Sequence, residues 1–518
     1  MLFVRRRVLL PVAAGLALLL LTCLTGCGSG SPHGRTRMGP SLGSPTFVTV
    51  LSSPAGRRVP FGFLGLSLEY RAVEAYAGTD PSAIDPVFEQ LVRNLVPGQA
   101  LVLRIGGDSA DRTWWPVPGL VRPTGVKFDI TDRWLRVTRA LAHALRARLI
   151  LGLNFEADDP TLASAEAGAL LEGIGPGAIR ALELGNEPDL YATFPWYRLS
   201  DGRHVTGRPP SYDMAGLIED FTRFAATLPA TLLAGPSLGA PGWTRELGRF
   251  LAAEPRVGLV TLHRYPLQLC YTPHDAARYP TVDHLLSPAA SIGLADSFAR
   301  YAVLAPGRGH SLRIDELNTV SCGADPAVSQ TFASALWALD TLFEMARVGI
   351  HGVNVHTFPG AGYELFRISR LRGRWQAVVG PEYYGLMLFA RAAPAGSRLL
   401  DVQNGASGAL RVWATQSGTG TVRVLAVNAG ARARVVSVRV AGAQPVRARL
   451  ERLLAPGVRS SSGVTLAGQS FGPRTFTGRL AGRPDVSMVA ATGGRYVVTV
   501  PAGSAALLVL AQPATGAA

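Results

Sequence analysis

Short apolar runs of strand length recur along most of the chain, separated by Ala/Leu/Arg-rich segments with helical character. They are FLGLSLEY (63–70), LVLRIGG (101–107), LILGLNF (149–155), ALELGNEP (181–188), TLLAGPSL (231–238), VGLVTLHRYP (257–266), SLRIDELN (311–318) and GVNVHTF (352–358). Nearly continuous apolar strands alternating with helices mark a parallel sheet covered by helices. Eight such units over about 300 residues predict a (β/α)8 barrel at 61–385 in preference to an open doubly wound sheet. Nothing in residues 70–80 forms the glycine-rich phosphate loop that a dinucleotide fold would require. Polar residues cluster at the C-terminal ends of the runs, the face where such barrels carry their sites.

Beyond residue 385 the pattern changes to period two. LRVWATQ, TVRVLAVNA, RVVSVRVAG, RYVVTVP and AALLVLAQ, broken by Gly, Ser and Pro turns, predict an antiparallel β-sandwich over 386–512. A strand within 46–60 precedes the barrel and is expected to join that sandwich.

The first 26 residues read as an export signal, with Arg5, Arg6 and Arg7 followed by the apolar stretch Val8 to Leu21. Leu24-Thr25-Gly26-Cys27 resembles a bacterial lipobox, which makes Cys27 the expected lipidation site and the protein an extracytoplasmic, membrane-anchored one. Residues 27–45, rich in Gly, Ser and Pro, read as a tether. The net charge of +15 does not indicate nucleic acid: Lys127 is the single lysine among 51 basic residues, and no basic run follows the signal. It is compatible with an acidic carbohydrate as partner; a monomer is expected. Cys270 and Cys322 are the cysteines left for the folded part, either as a disulfide or as two separate buried thiols. Both follow neighbouring strands at one face of the barrel, which favours a bridge.

Glu187 ends the fourth run and Glu316 the seventh, so a barrel brings both carboxylates to one cleft. Glycosidic hydrolysis needs such a pair, one protonated to release the leaving oxygen and one ionised. His263 and His356 lack a third ligand at metal spacing, so neither metal nor cofactor is expected. Aromatic residues Tyr191, Phe194, Trp196 and Tyr197, in the loop after the fourth run, either stack on sugar rings or pack on the barrel rim.

The ordered motifs Gly65-Leu66-Ser67-Leu68-Glu69, Leu103-Arg104-Ile105-Gly106-Gly107-Asp108-Ser109, Gly185-Asn186-Glu187-Pro188, His263-Arg264-Tyr265-Pro266 and Asp315-Glu316-Leu317-Asn318 resemble the clan of retaining barrel glycosidases. Within it they resemble glycoside hydrolase family 79, the β-glucuronidases and heparanase-like enzymes. The resemblance implies Glu187 as acid/base, Glu316 as nucleophile and Asn186 as the partner of the sugar 2-hydroxyl. It further implies sugar contacts from Glu69, Asp108 and Ser109, Tyr265 orienting the nucleophile, and Arg104 pairing with the carboxylates from below. A C6 carboxylate would be met by backbone N–H groups at Gly323 and by Tyr363. The family turn carries a Gly pair where this chain has Cys322-Gly323-Ala324. The implied activity is retaining hydrolysis of β-glucuronides. The alternatives are a barrel glycosidase of another specificity, such as a β-xylosidase or endo-glucanase, and a non-catalytic lipid-anchored sugar-binding protein.

Overall fold

The computed structural model describes residues 44–52, 56–442 and 447–511. The expected signal, tether and lipidation site Cys27 lie outside these, apart from the last two tether residues. The strand β1 (Thr46–Val50) comes first, and the eight apolar runs then form β2 (Leu64–Glu69), β3 (Val102–Gly106), β4 (Arg148–Leu153), β5 (Ile179–Leu184), β6 (Leu233–Leu238), β7 (Val257–Arg264), β8 (Ser311–Leu317) and β9 (Gly352–His356). β2 to β9 pair in parallel in chain order, and β9 pairs with β2 to close the barrel. Each barrel strand is buried along nearly its whole length, which is why the sequence shows runs rather than alternation.

The helices between strands start where the local chemistry favours it. Thr131 caps Asp132–Leu145, Asp159 caps Pro160–Ile174 and Asp213 caps Met214–Ala225, each accepting a backbone N–H of the first turn. Two later helices differ. Phe332–Val348 and Pro381–Ala392 are buried on almost every side. The second runs past residue 385, so the helix carries the barrel to Ala392.

The C-terminal domain packs against these two helices. Its larger sheet runs β10 (Leu410–Gln416), β11 (Val422–Asn428), β15 (Ser504–Leu510), β13 (Ala448–Leu454), all antiparallel. Its smaller sheet holds β1 beside β12 (Arg434–Val440) and β14 (Tyr496–Val500). Val48, Val412, Val424, Val438 and Val498 fill the space between the sheets. Trp413 stacks on Phe343 at a ring separation of 5.3 Å and donates to Asp340 at 2.9 Å, fixing the sandwich to the barrel. Among the described residues, no helix is long and apolar enough to cross a membrane.

Candidate active site

Glu187 leaves β5 with a left-handed backbone (φ 49°), and its N–H donates to Ser237 O at 3.0 Å at the end of β6. This turn aims the carboxyl across the barrel mouth. Its Oε1 lies 3.2 Å from His263 Nδ1. The carboxyl also lies over Gly239, where a Cβ would stand 2.6 Å from the Glu187 Cδ. Glu316, at the end of β8, accepts from Arg104 Nη1 at 2.7 Å on one oxygen and from Tyr265 Oη at 2.8 Å on the other. One oxygen of each glutamate and a ring nitrogen of His263 lie within 4.8 Å of one another.

Below this pair is a fully buried charge network. Arg104 contacts Glu183 at 2.7 Å and Asp315 at 3.3 Å as well as Glu316, and donates to Asn186 Oδ1 at 2.9 Å. Burial draws its guanidinium downward, but the three carboxylates outweigh that and hold it well above its ordinary value. Glu183 and Asp315 thus share the Arg104 guanidinium. Burial and repulsion from Glu183 push Asp315 far up; burial also opposes ionisation of Glu183, but Arg104 overrides it and keeps Glu183 low. Burial likewise disfavours ionised Glu316, yet His356, His263, Arg104 and the Tyr265 hydrogen bond hold it well below the carboxylate range. His356 is buried but held upward by Glu316 and Glu69.

The cleft above measures about 840 Å³. Glu69 and Asp108 line one wall, and Asn186 Nδ2 donates to Asp108 at 3.3 Å. Enclosure in the cleft and repulsion from Glu69 push Asp108 up to about 7. Ser109 follows Asp108 in the turn after β3. Its hydroxyl donates to Gly106 O and accepts from Tyr70 N, closing the turn after β3, while its own N–H holds Glu69 at 2.8 Å. Its N–H thereby positions Glu69, because strand-end backbone groups need partners.

Asp111 organises the wall between β3 and β5. It accepts from the N–H groups of Phe155, Glu156 and Asn186 and from Tyr191 Oη at 2.7 Å. Trp196 donates to Asp111 O and packs on the rim, while Tyr191 and Phe194 of the aromatic loop line the cleft, Phe194 meeting Tyr271 edge-on at 5.9 Å. Glu156 and Arg112 also line the cleft; burial and Asp111 push Glu156 up to about 9.

Opposite stands the turn after β8. Cys322, Gly323 and Ala324 all have positive φ (65°, 94° and 64°), and among the described residues none of their N–H groups donates a hydrogen bond. Cys322 is bridged to Cys270 with Cα atoms 5.9 Å apart. Ala324 packs with Tyr265 and Tyr363, whose hydroxyls lie 3.5 Å apart.

Glu183, His263 and Asp315 meet the spacing of metal ligands, but the Arg104 guanidinium already supplies the positive charge there. Glu183, Asp315, Asp111 and Glu156 escaped the sequence reading as site residues. The available signal was a charged residue inside an otherwise apolar strand, as in ALELGNEP and SLRIDELN, which burial forces into a pair.

A (β/α)8 barrel with strand-end glutamates converging on one cleft, joined to a β-sandwich, defines a glycoside hydrolase of the barrel type. Residues 410–507 match the glycosyl hydrolase family 79 C-terminal beta domain. The fold is similar to that of the 4-O-α-L-rhamnosyl-β-D-glucuronidase of Fusarium oxysporum 12S, with TM-score 0.69 and 19% identity over 90% of this chain and 100% of that one. It is also similar to the family 51 arabinofuranosidase of Xanthomonas axonopodis pv. citri (TM-score 0.64, 15% identity, 90% and 99% covered). The α-L-arabinofuranosidase of Thermotoga maritima gives TM-score 0.59 at 15% identity, again with 90% and 99% covered. At these identities the likeness concerns the fold. No curated protein matches the chain in sequence.

Proposed function

We propose that the protein is a retaining β-glucuronidase acting by double displacement, exported and held at the membrane by lipid on Cys27. Retention is supported by the short gap between the glutamates. Oxygens within 4.8 Å suit a direct attack on the anomeric carbon, whereas an inverting pair stands about 6.5–9.5 Å apart to admit a water. In this reading Glu316 attacks the anomeric carbon while Glu187 protonates the leaving oxygen, and Glu187 then activates water to release the sugar. Asn186, Asp108 and Glu69 hold the hydroxyls.

The observation that carries the glucuronide is the turn 322–324. Backbone N–H groups of a tight turn can bind an anion, and among the described residues those of Cys322, Gly323 and Ala324 donate no hydrogen bond and stand beside Tyr363 and Tyr265. Neutral donors bind a C6 carboxylate without adding a mobile cation next to Glu316. Turnover of aryl β-glucuronide, β-glucoside and β-xyloside tests this: the glucuronide should be favoured by about a hundredfold or more in kcat/KM. Hydrolysis of the neutral sugars alone would exclude the specificity and leave the barrel glycosidase standing.

A further inference from the structure

The reaction moves negative charge from Glu316 to Glu187, and the buried groups between them are arranged to follow it. His263 stands in the middle. Its Nδ1 is 3.2 Å from Glu187, while its Nε2 is 2.9 Å from Ser237 Oγ and 3.4 Å from Asp315 Oδ1. Asp315 in turn contacts Arg104, which also holds Glu183, and all four of His263, Asp315, Glu183 and Arg104 are essentially inaccessible to water. Resting acid/base and buried acid are therefore joined through one imidazole.

We propose that Asp315 and His263 form a proton relay that couples formation of the glycosyl-enzyme at Glu316 to ionisation of the acid/base Glu187; the proposal rests on the double-displacement reading. The proposed relay starts with protons on Glu187 and Asp315, an ionised Glu316 and one proton on the His263 ring. In the first step a Glu316 oxygen bonds to the anomeric carbon, the bond to the leaving oxygen breaks, and the Glu187 proton passes to that oxygen. Glu316, now an ester, no longer neutralises Arg104. Asp315 takes its place by passing its proton to His263 Nε2, and the imidazolium donates through Nδ1 to the new Glu187 carboxylate. The charge summed over Glu183, Glu187, Asp315, Glu316, Arg104 and His263 is the same before and after. Hydrolysis of the ester reverses each transfer. The charged groups facing His263 are the other five with His356, which stands on β9, 3.9 Å from Glu316. Asp315 and His263 touch no substrate and are positioning residues.

The test uses the whole protein with 15N-labelled histidine, His263 being assigned by its absence in His263→Gln, and a 2-deoxy-2-fluoro glycosyl fluoride of the sugar that it turns over. Labelling of Glu316 with His263 changing from singly to doubly protonated is the expected result. In Asp315→Asn the adduct should form with His263 still singly protonated. For a substrate with a good leaving group, that variant should also shift the acid limb of kcat upward by about one pH unit. A structural loss alone would lower the rate with the limb in place, which overturns the relay. The wild-type spectrum decides even if the variant fails to fold: an adduct on Glu316 with His263 unchanged overturns the relay and leaves double displacement intact. Failure to label Glu316 removes both.

Discussion

At the scale of single residues, the site depends on charges that water does not screen. Arg104 reaches three carboxylates and Asn186 from one planar fork, a geometry that a lysine ammonium does not reproduce. Arg104→Lys should cost about 3–5 kcal/mol in stability and at least about a hundredfold in kcat, measured by urea unfolding and aryl glycoside turnover. Glu156 carries a pH consequence. Its carboxyl titrates near 4.5 when unfolded and is pushed to about 9 by burial and Asp111, so between those values the native state binds the extra proton. Stability from this group is complete below pH 4.5 and is lost progressively as pH rises towards 9. Glu156→Gln should therefore flatten the fall of Tm between pH 6 and 9, as read by calorimetry at several pH values. Glu187 and Glu316 were legible as strand-end glutamates. The Glu183–Asp315 pair was not, because a carboxylate inside an apolar strand reveals its partner only after the strands are neighbours.

At the scale of elements, the turn Cys322–Ala324 shows how local strain and a covalent tie combine. Cys322 and Ala324 occupy left-handed backbone that side chains disfavour, and the bridge to Cys270 joins the loops after β7 and β8. Cys270→Ser with Cys322→Ser should destabilise by about 2–4 kcal/mol. It should also raise KM for a glucuronide more than for any neutral glycoside that is turned over, because the turn with these N–H groups loses its fixed shape. Comparison of KM between the two substrates, with and without the bridge, measures this. The eight barrel runs were readable because burial on both faces writes itself as uninterrupted apolar sequence. The turn that the Ser109 hydroxyl closes was not, because its partners Gly106 and Tyr70 come from two different strand ends.

For the whole molecule, barrel and sandwich share a core. Helices Phe332–Val348 and Pro381–Ala392 are buried all round because the sandwich covers the faces that a lone barrel would expose. Trp413→Ala removes the ring stacked on Phe343 and should cost about 3–5 kcal/mol. Loss of tertiary and secondary signals in a single denaturation transition, at lower denaturant than wild type, is the expected result. The sequence by itself determined the class of fold, the order of its strands and the two glutamates, since these depend on periodicity and on where polar residues end apolar runs. Only the tertiary structure decided which carboxyls share the Arg104 guanidinium, which hydroxyls face the cleft and how three left-handed residues present their N–H groups. Those properties depend on distances between residues far apart in the chain, and no local pattern encodes them.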